Sequence, residues 1–290
     1  MNSSWNTLID PDELFSQLEH TDLVIIDCRF SLADSESGRN QFSDNHIPGA
    51  RYAHLEDDLS GTIVAGSTGR HPLPSSSAAQ NVFRDLGVNN HSQVVTYDDF
   101  GGAFAARAWW MLHWLGHDHV AVLNGGWPAW IEAGYPQDSS PGKTEPGAFV
   151  CNPRPDLLIS SLQIDSVAQD PGRLLIDARS HERFLGIGET MDPVAGHIPG
   201  ARSCYFGDNL ESSGSFLKKN VLRARWKELL QSFPASDVVS YCGSGVTGAH
   251  NVLAIRYAGL GDVPLYVGSW SEWITRRERA VATGPENDHD

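Results

Sequence analysis

Cys242 has the strongest claim to chemistry in this sequence. It follows the apolar run Val238-Val239-Ser240-Tyr241 and opens the loop Gly243-Ser244-Gly245-Val246-Thr247-Gly248, which leads into a helical stretch. Glycines let the backbone fold tightly enough for several N–H groups to converge on one point, and a helix N-terminus behind them adds positive potential. Such donors stabilise a thiolate and serve equally well for an anion carried on the sulfur. Cys242 is therefore the candidate nucleophile, and Gly243, Gly245, Val246 and Thr247 the candidate substrate-binding loop, with Thr247 also expected to cap the helix. No Arg or Lys lies in this loop, and the position six beyond Cys242 is Gly248. A cysteine loop for phosphoryl transfer needs a cation there, so that reaction is disfavoured.

The elements that position Cys242 occur twice. His46-Ile47-Pro48-Gly49-Ala50-Arg51 recurs unchanged as His197-Ile198-Pro199-Gly200-Ala201-Arg202. Leu23–Arg29 answers Leu174–Arg179, Val94–Tyr97 answers Val238–Tyr241, and Asn124–Trp130 answers Val267–Trp273. Four landmarks in the same order mark a duplicated domain. The runs Leu23–Ile26, Val94–Tyr97 and Val120–Leu123 are apolar throughout, as strands buried on both faces of a parallel sheet require. Amphipathic stretches at Ser77–Leu86 and Leu222–Leu230 precede the central strand, and Ala103–Leu115 and Gly248–Ala258 follow it. The fold class expected is α/β, two tandem domains, each a mostly parallel sheet flanked by helices. We place them at residues 7–135 and 157–284, with a proline-stiffened linker over 136–156 and a frayed polar tail from Pro285 to Asp290. Aligning Tyr97 with Tyr241 puts Asp98 opposite Cys242, so the first copy lacks the candidate nucleophile and is expected to be catalytically inactive.

Composition narrows the function further. Of 290 residues, 21 are Lys or Arg and 36 Asp or Glu, a formal net charge of −15, which argues against nucleic acid or an anionic membrane face as partner. No run of 18 apolar residues is present, and Met1–Asp12 shows no basic stretch ahead of an apolar core. The four cysteines, Cys28, Cys151, Cys204 and Cys242, are widely spaced without metal-ligand pattern, which suits free thiols and a cytoplasmic location. Neither a nucleotide loop nor a zinc motif occurs, so no cofactor and no metal are implied. His46, His197, Asp27 and Asp177 occur in both copies and are read as fold residues. The Trp109-Trp110 pair and Trp114 are read as core or interface.

The duplicated HIPGAR, the Tyr-Cys-Gly-Ser-Gly-Val-Thr loop and the Gly-Gly-Trp-x-x-Trp signature together resemble the tandem-domain rhodanese-type sulfurtransferases, over about residues 7–284. The resemblance implies two rhodanese-like domains and ping-pong transfer of a sulfane sulfur through a Cys242 persulfide to a thiophilic acceptor such as cyanide, a thiol or thioredoxin. It also implies loss of the nucleophile in the N-terminal copy. The neutral loop is similar to that of 3-mercaptopyruvate sulfurtransferases, whereas relatives preferring thiosulfate carry Arg and Lys there. By the same resemblance Ser244 is the catalytic serine, His71 the histidine contributed by the N-terminal copy, Glu56 the acid behind it, and Arg183 the arginine for the donor carboxylate. One departure stands out: mercaptopyruvate enzymes carry a second arginine shortly before the second HIPG, and Gly186–Gly196 contains no basic residue. The reading expected is therefore a sulfurtransferase with 3-mercaptopyruvate favoured over thiosulfate as donor, a thiosulfate sulfurtransferase being the nearer alternative and a non-catalytic persulfide carrier the alternative of another class.

Overall fold

The computed structural model describes residues 5–140 and 145–285. The expected tail falls largely on residues 286–290, and part of the expected linker on 141–144, both outside that range. The chain divides into two compact units, and the division is not colinear. Unit 1 comprises residues 1–61, 74–154 and 211–216, and unit 2 comprises 62–73, 155–210 and 217–290.

Unit 1 is built on a five-stranded parallel sheet of β1 (Leu8–Ile9), β2 (Leu23–Asp27), β3 (Arg51–Tyr52), β4 (Gln93–Tyr97) and β5 (Val120–Leu123), in the order β1-β5-β4-β2-β3. Unit 2 repeats it with β6 (Leu158–Ile159), β7 (Leu174–Asp177), β8 (Arg202–Ser203), β9 (Val238–Tyr241) and β10 (Leu265–Tyr266), in the order β6-β10-β9-β7-β8. Every residue of β4 and of β9 is buried, which is why these runs read as continuously apolar rather than alternating. In each order the chain leaves β2 or β7 toward one edge and β4 or β9 toward the other. Such a reversal leaves a crevice beyond the carboxyl ends of the central strands, and Cys242 is the residue immediately after β9.

Amphipathic helices cover the faces. Helix Ser76–Asp85 starts at Ser75, whose hydroxyl accepts from the Ala78 amide at 3.2 Å, and it buries Ala79 and Phe83 one turn apart. Helix Lys219–Leu230 buries Leu222, Trp226 and Leu230, a strict i, i+4, i+8 stripe. The helices after the central strands, Ala105–Trp114 and Thr247–Tyr257, are apolar nearly all round and buried accordingly, Trp109 and Trp110 completely. Residues 147–154 are strapped to unit 1. Their amides at Gly147, Phe149, Asn152 and Arg154 donate to carbonyls of Arg84, Val88, Leu115 and Trp114, and Arg154 pairs with Asp118.

The repeated polar residues do the same work in both units. Arg29 closes on Asp27 and donates to the Asn45 carbonyl, while Arg179 closes on Asp177 and donates to the Gly196 carbonyl. Each guanidinium lies over a tryptophan, Trp127 or Trp270. His46 and His197 stack on Phe42 and Phe184 and bond through Nδ1 to the carbonyls of those same residues at 2.7 Å. A buried ion pair or histidine present in identical form in both units, only one of which has the cysteine, supports a role in the fold.

Candidate active site

Cys242 is 2% exposed, and its Sγ accepts a hydrogen bond from the Gly245 amide at 3.1 Å. Gly245 makes this possible because its φ is +80° and a Cβ there would sit 2.3 Å from the Val267 carbonyl oxygen. The Ser240 hydroxyl donates to the Gly248 carbonyl at 2.9 Å, fixing the end of the loop to the strand that begins it. Thr247 requires a correction. The helix begins at Thr247 itself, with Val246 in the cap position and no side-chain capping bond, so Thr247 stands one residue inside the position where a side chain caps. Val246 is buried at 5% and Thr247 is half-buried.

His71 and Ser244 meet. His71 Nδ1 lies 2.8 Å from Ser244 Oγ, and both side chains are buried, at 3% and 6% exposure. The sequence puts His71 inside the first copy, yet residues 62–73 pack as part of unit 2, so this pair is internal to one unit. The segment is pinned there by the Arg70 amide, which donates to Ser271 Oγ at 3.1 Å, and by Gly69, where a Cβ would fall 2.7 Å from the Gly268 carbonyl. Glu56 belongs to unit 1, where it is exposed and its amide donates to His54 Nδ1.

Arg183 sits at the loop within a carboxylate cluster. Its Nε donates to Glu189 at 2.9 Å and one terminal nitrogen to Asp192 at 2.8 Å. Arg70 also binds Asp192, so that carboxylate joins two guanidiniums. A Cβ on Gly243 would lie 2.8 Å from Arg70 Nη2 and 3.5 Å from Arg183 Nη1, so both cations rest against the start of the cysteine loop. Although no arginine precedes the second HIPG, Arg70 brings a second guanidinium to the loop. Burial opposes ionisation of Glu189, yet Arg183 and the amides of Met191 and Asp192 hold its pKa below the ordinary value. At Asp192 burial wins and the pKa is raised, Arg70 and Arg183 opposing the rise.

Ser269 also escaped the sequence. Its φ is +54°, the left-handed region, at the position where unit 1 has Gly126 at +58°. Its hydroxyl donates to the Tyr266 carbonyl at 2.9 Å and accepts from the Cys242 amide at 3.0 Å. In both units the following tryptophan amide bonds to the carbonyl of the residue after the central strand: Trp270 to Cys242 and Trp127 to Asp98. This equivalence puts Asp98 in the place of Cys242. The Asp98 carboxylate, fully buried, accepts 2.8 Å bonds from the amides of Phe100, Gly102, Phe104 and Ala105. Unit 1 therefore holds its own carboxylate where unit 2 presents a thiol.

The rhodanese-like domain profile matches residues 10–133 and 162–276. The chain belongs to the rhodanese-like family. This rhodanese-like chain is 47% identical over 278 residues to a probable 3-mercaptopyruvate sulfurtransferase of Pseudomonas aeruginosa, covering 96% of this chain and 98% of that one. It is 38% identical over 291 residues to a putative thiosulfate sulfurtransferase of Mycobacterium tuberculosis, covering 98% and 99%. Among solved structures, the 3-mercaptopyruvate sulfurtransferase from Leishmania major superposes with a TM-score of 0.81 at 31% identity, over 92% of this chain and 74% of that one. Both copies of the rhodanese-like domain lie within these matches. Among the described residues no helix is long and apolar enough to cross a membrane.

Proposed function

We propose that this rhodanese-like chain is a sulfurtransferase that takes sulfur from 3-mercaptopyruvate onto Cys242 and passes it to a thiophilic acceptor. The observation that carries the reading is the Ser244–His71 hydrogen bond in the same loop as a cysteine held by the Gly245 amide. The Cys242 thiolate attacks the donor's thiol sulfur, an S–S bond forms, and the donor's C–S electron pair leaves on carbon as pyruvate enolate. Protonation of that enolate needs an acid at the site, and Ser244, relayed by His71, serves in that role. The acceptor, cyanide or a thiol such as that of thioredoxin, then attacks the outer sulfur and releases the Cys242 thiolate. Arg183 and Arg70 hold the donor carboxylate, for which paired guanidinium forks suit. Gly243, Gly245, Val246 and Thr247 shape the loop around the transferred sulfur. The copy at 7–135, with Asp98, is the inactive one, and 157–284 the catalytic one. Four free thiols favour the cytoplasm.

The test is kcat/KM for 3-mercaptopyruvate and thiosulfate side by side, with cyanide as acceptor, in the wild type and in Ser244→Ala. An excess for mercaptopyruvate that shrinks in the variant supports the relay, since thiosulfate releases sulfite and needs no protonated carbon. The thiosulfate reading draws on the mycobacterial relative and gains if thiosulfate is preferred and both donors fall equally in Ser244→Ala. Stable persulfide at Cys242 without turnover would favour a carrier.

A further inference from the structure

Three guanidiniums and three carboxylates meet beside the cysteine loop. Arg179 is closed on Asp177 and reaches Glu189 at 3.7 Å, Arg183 binds Glu189 and Asp192, and Arg70 binds Asp192. The side chains of Glu189 and Asp192 are each 2% exposed, whereas Arg183 and Arg70 keep 21% and 30% exposure. The carboxylates thus lie behind and the cations in front. Each front guanidinium has one nitrogen on Asp192 and another against Gly243. Arg70 Nε is buried without a hydrogen-bond partner, so this cation still has donor capacity to satisfy.

Two guanidiniums on one small region repel, and the carboxylate between them is what allows them to pack together. It also cancels charge. With three cations matched by three carboxylates the cluster is neutral, and an arriving monoanion is the first uncompensated charge it meets, whereas a dianion brings two. We infer that Asp192 is a specificity-determining residue: by joining and partly neutralising Arg70 and Arg183, it selects a singly charged donor carboxylate over a dianionic donor. The inference rests on the reading of this site as one for an anionic sulfur donor. It differs from a purely structural role for Asp192, which would affect all donors alike.

The test is Asp192→Asn, which keeps the shape and removes the charge. A dianion gains about twice the Coulombic attraction of a monoanion, so the ratio of kcat/KM for thiosulfate to that for 3-mercaptopyruvate is expected to rise about tenfold. Asp192→Glu, which restores the charge, is expected to hold the ratio near the wild-type value. Arg70→Gln shifts the balance the other way and is expected to lower the ratio about tenfold, so the inference stays testable if Asp192→Asn does not fold. Equal loss with both donors in Asp192→Asn, or a ratio that moves in the same direction in Asp192→Asn and Arg70→Gln, would overturn it. Thermal shifts with sulfate and with pyruvate on the same proteins read charge preference without turnover. Sulfate gaining over pyruvate in Asp192→Asn supports the inference even if neither donor reacts, which would defeat only the sulfurtransferase reading.

Discussion

Ser269 pays a conformational cost that Gly126 avoids, and the two variants Ser269→Ala and Ser269→Gly separate that cost from its return. A side chain at φ +54° costs about 1 kcal/mol relative to glycine. The hydroxyl in turn satisfies the buried Cys242 amide and donates to the Tyr266 carbonyl. Leaving the amide without a partner costs about 2 kcal/mol. Ser269→Ala keeps the strained backbone and loses the hydroxyl, so it forfeits that full amount. Ser269→Gly loses the same bonds but relaxes the backbone, recovering about 1 kcal/mol. The expected order of thermal midpoints is wild type, then Gly, then Ala. Both variants are expected to form the Cys242 persulfide about tenfold more slowly in a single turnover, about 1.4 kcal/mol in barrier, because the amide that fixes the cysteine backbone is freed. Ser269→Thr, which retains a hydroxyl, should recover part of the rate. An alanine variant as stable as the glycine variant would refute the strain argument. A glycine variant with the wild-type rate would refute the positioning argument.

Three further outcomes follow from the same geometry. Cys242→Ser should abolish sulfur transfer while leaving circular dichroism and melting intact, and surviving activity would remove the site assignment. Asp98→Ala should leave turnover per folded molecule unchanged but lower stability by about 3 kcal/mol or more, since four buried amides lose their acceptor; urea melts and activity measured together check it. Burial pulls the His117 imidazole down to about 4 from its ordinary 6.5, with the Ser92 carbonyl as its partner. The unfolded chain therefore binds a proton that the folded protein refuses between about pH 6.5 and pH 4, and stability is lost as pH falls through that window, by about 3 kcal/mol in all. His117→Gln should flatten this part of a stability-against-pH curve, and an unchanged slope would place the acid sensitivity elsewhere.

The strands were legible because β4 and β9 are buried on both faces and read as uninterrupted apolar runs, and the duplication was legible because HIPGAR does identical work twice. Cys242 and Ser244 share a loop whose spacing carries its own meaning. What could not be read was anything set by packing between segments distant in sequence. Arg70 reaches the cysteine loop because residues 62–73 pack with unit 2, a choice that no local pattern records, and His71 was expected there only through the family resemblance. Nothing in the sequence around Asp192 marks it, and only the two guanidiniums on it give it meaning. Ser269 carries no sign of its left-handed backbone in the sequence, because a backbone angle leaves no mark when serine takes the place of glycine.

The comparison of the two loops carries the argument about chemistry one step further. After β4, the chain spends four amides on one carboxylate that it supplies itself, and burial alone would push Asp98 toward its neutral form, its pKa being raised despite those bonds. A loop at this place in the sheet therefore gathers donors whether or not catalysis uses them, since it joins the end of a buried parallel strand to a helix N-terminus. Donor convergence is a property of the fold, and the residue at its focus decides what becomes of it. With Asp98 the focus is filled by the carboxylate itself. With Cys242, 2% exposed and bonded to the Gly245 amide, the same convergence faces a thiol, the group that the proposed reaction needs to receive and release sulfur. Replacing Asp98 by cysteine should on this argument fall short of restoring activity, because Ser244, His71, Arg70 and Arg183 are all gathered around the loop of unit 2. Sulfur transfer by an Asp98→Cys, Cys242→Ser double variant at a rate near wild type would show that donor convergence alone suffices and that these partners are dispensable.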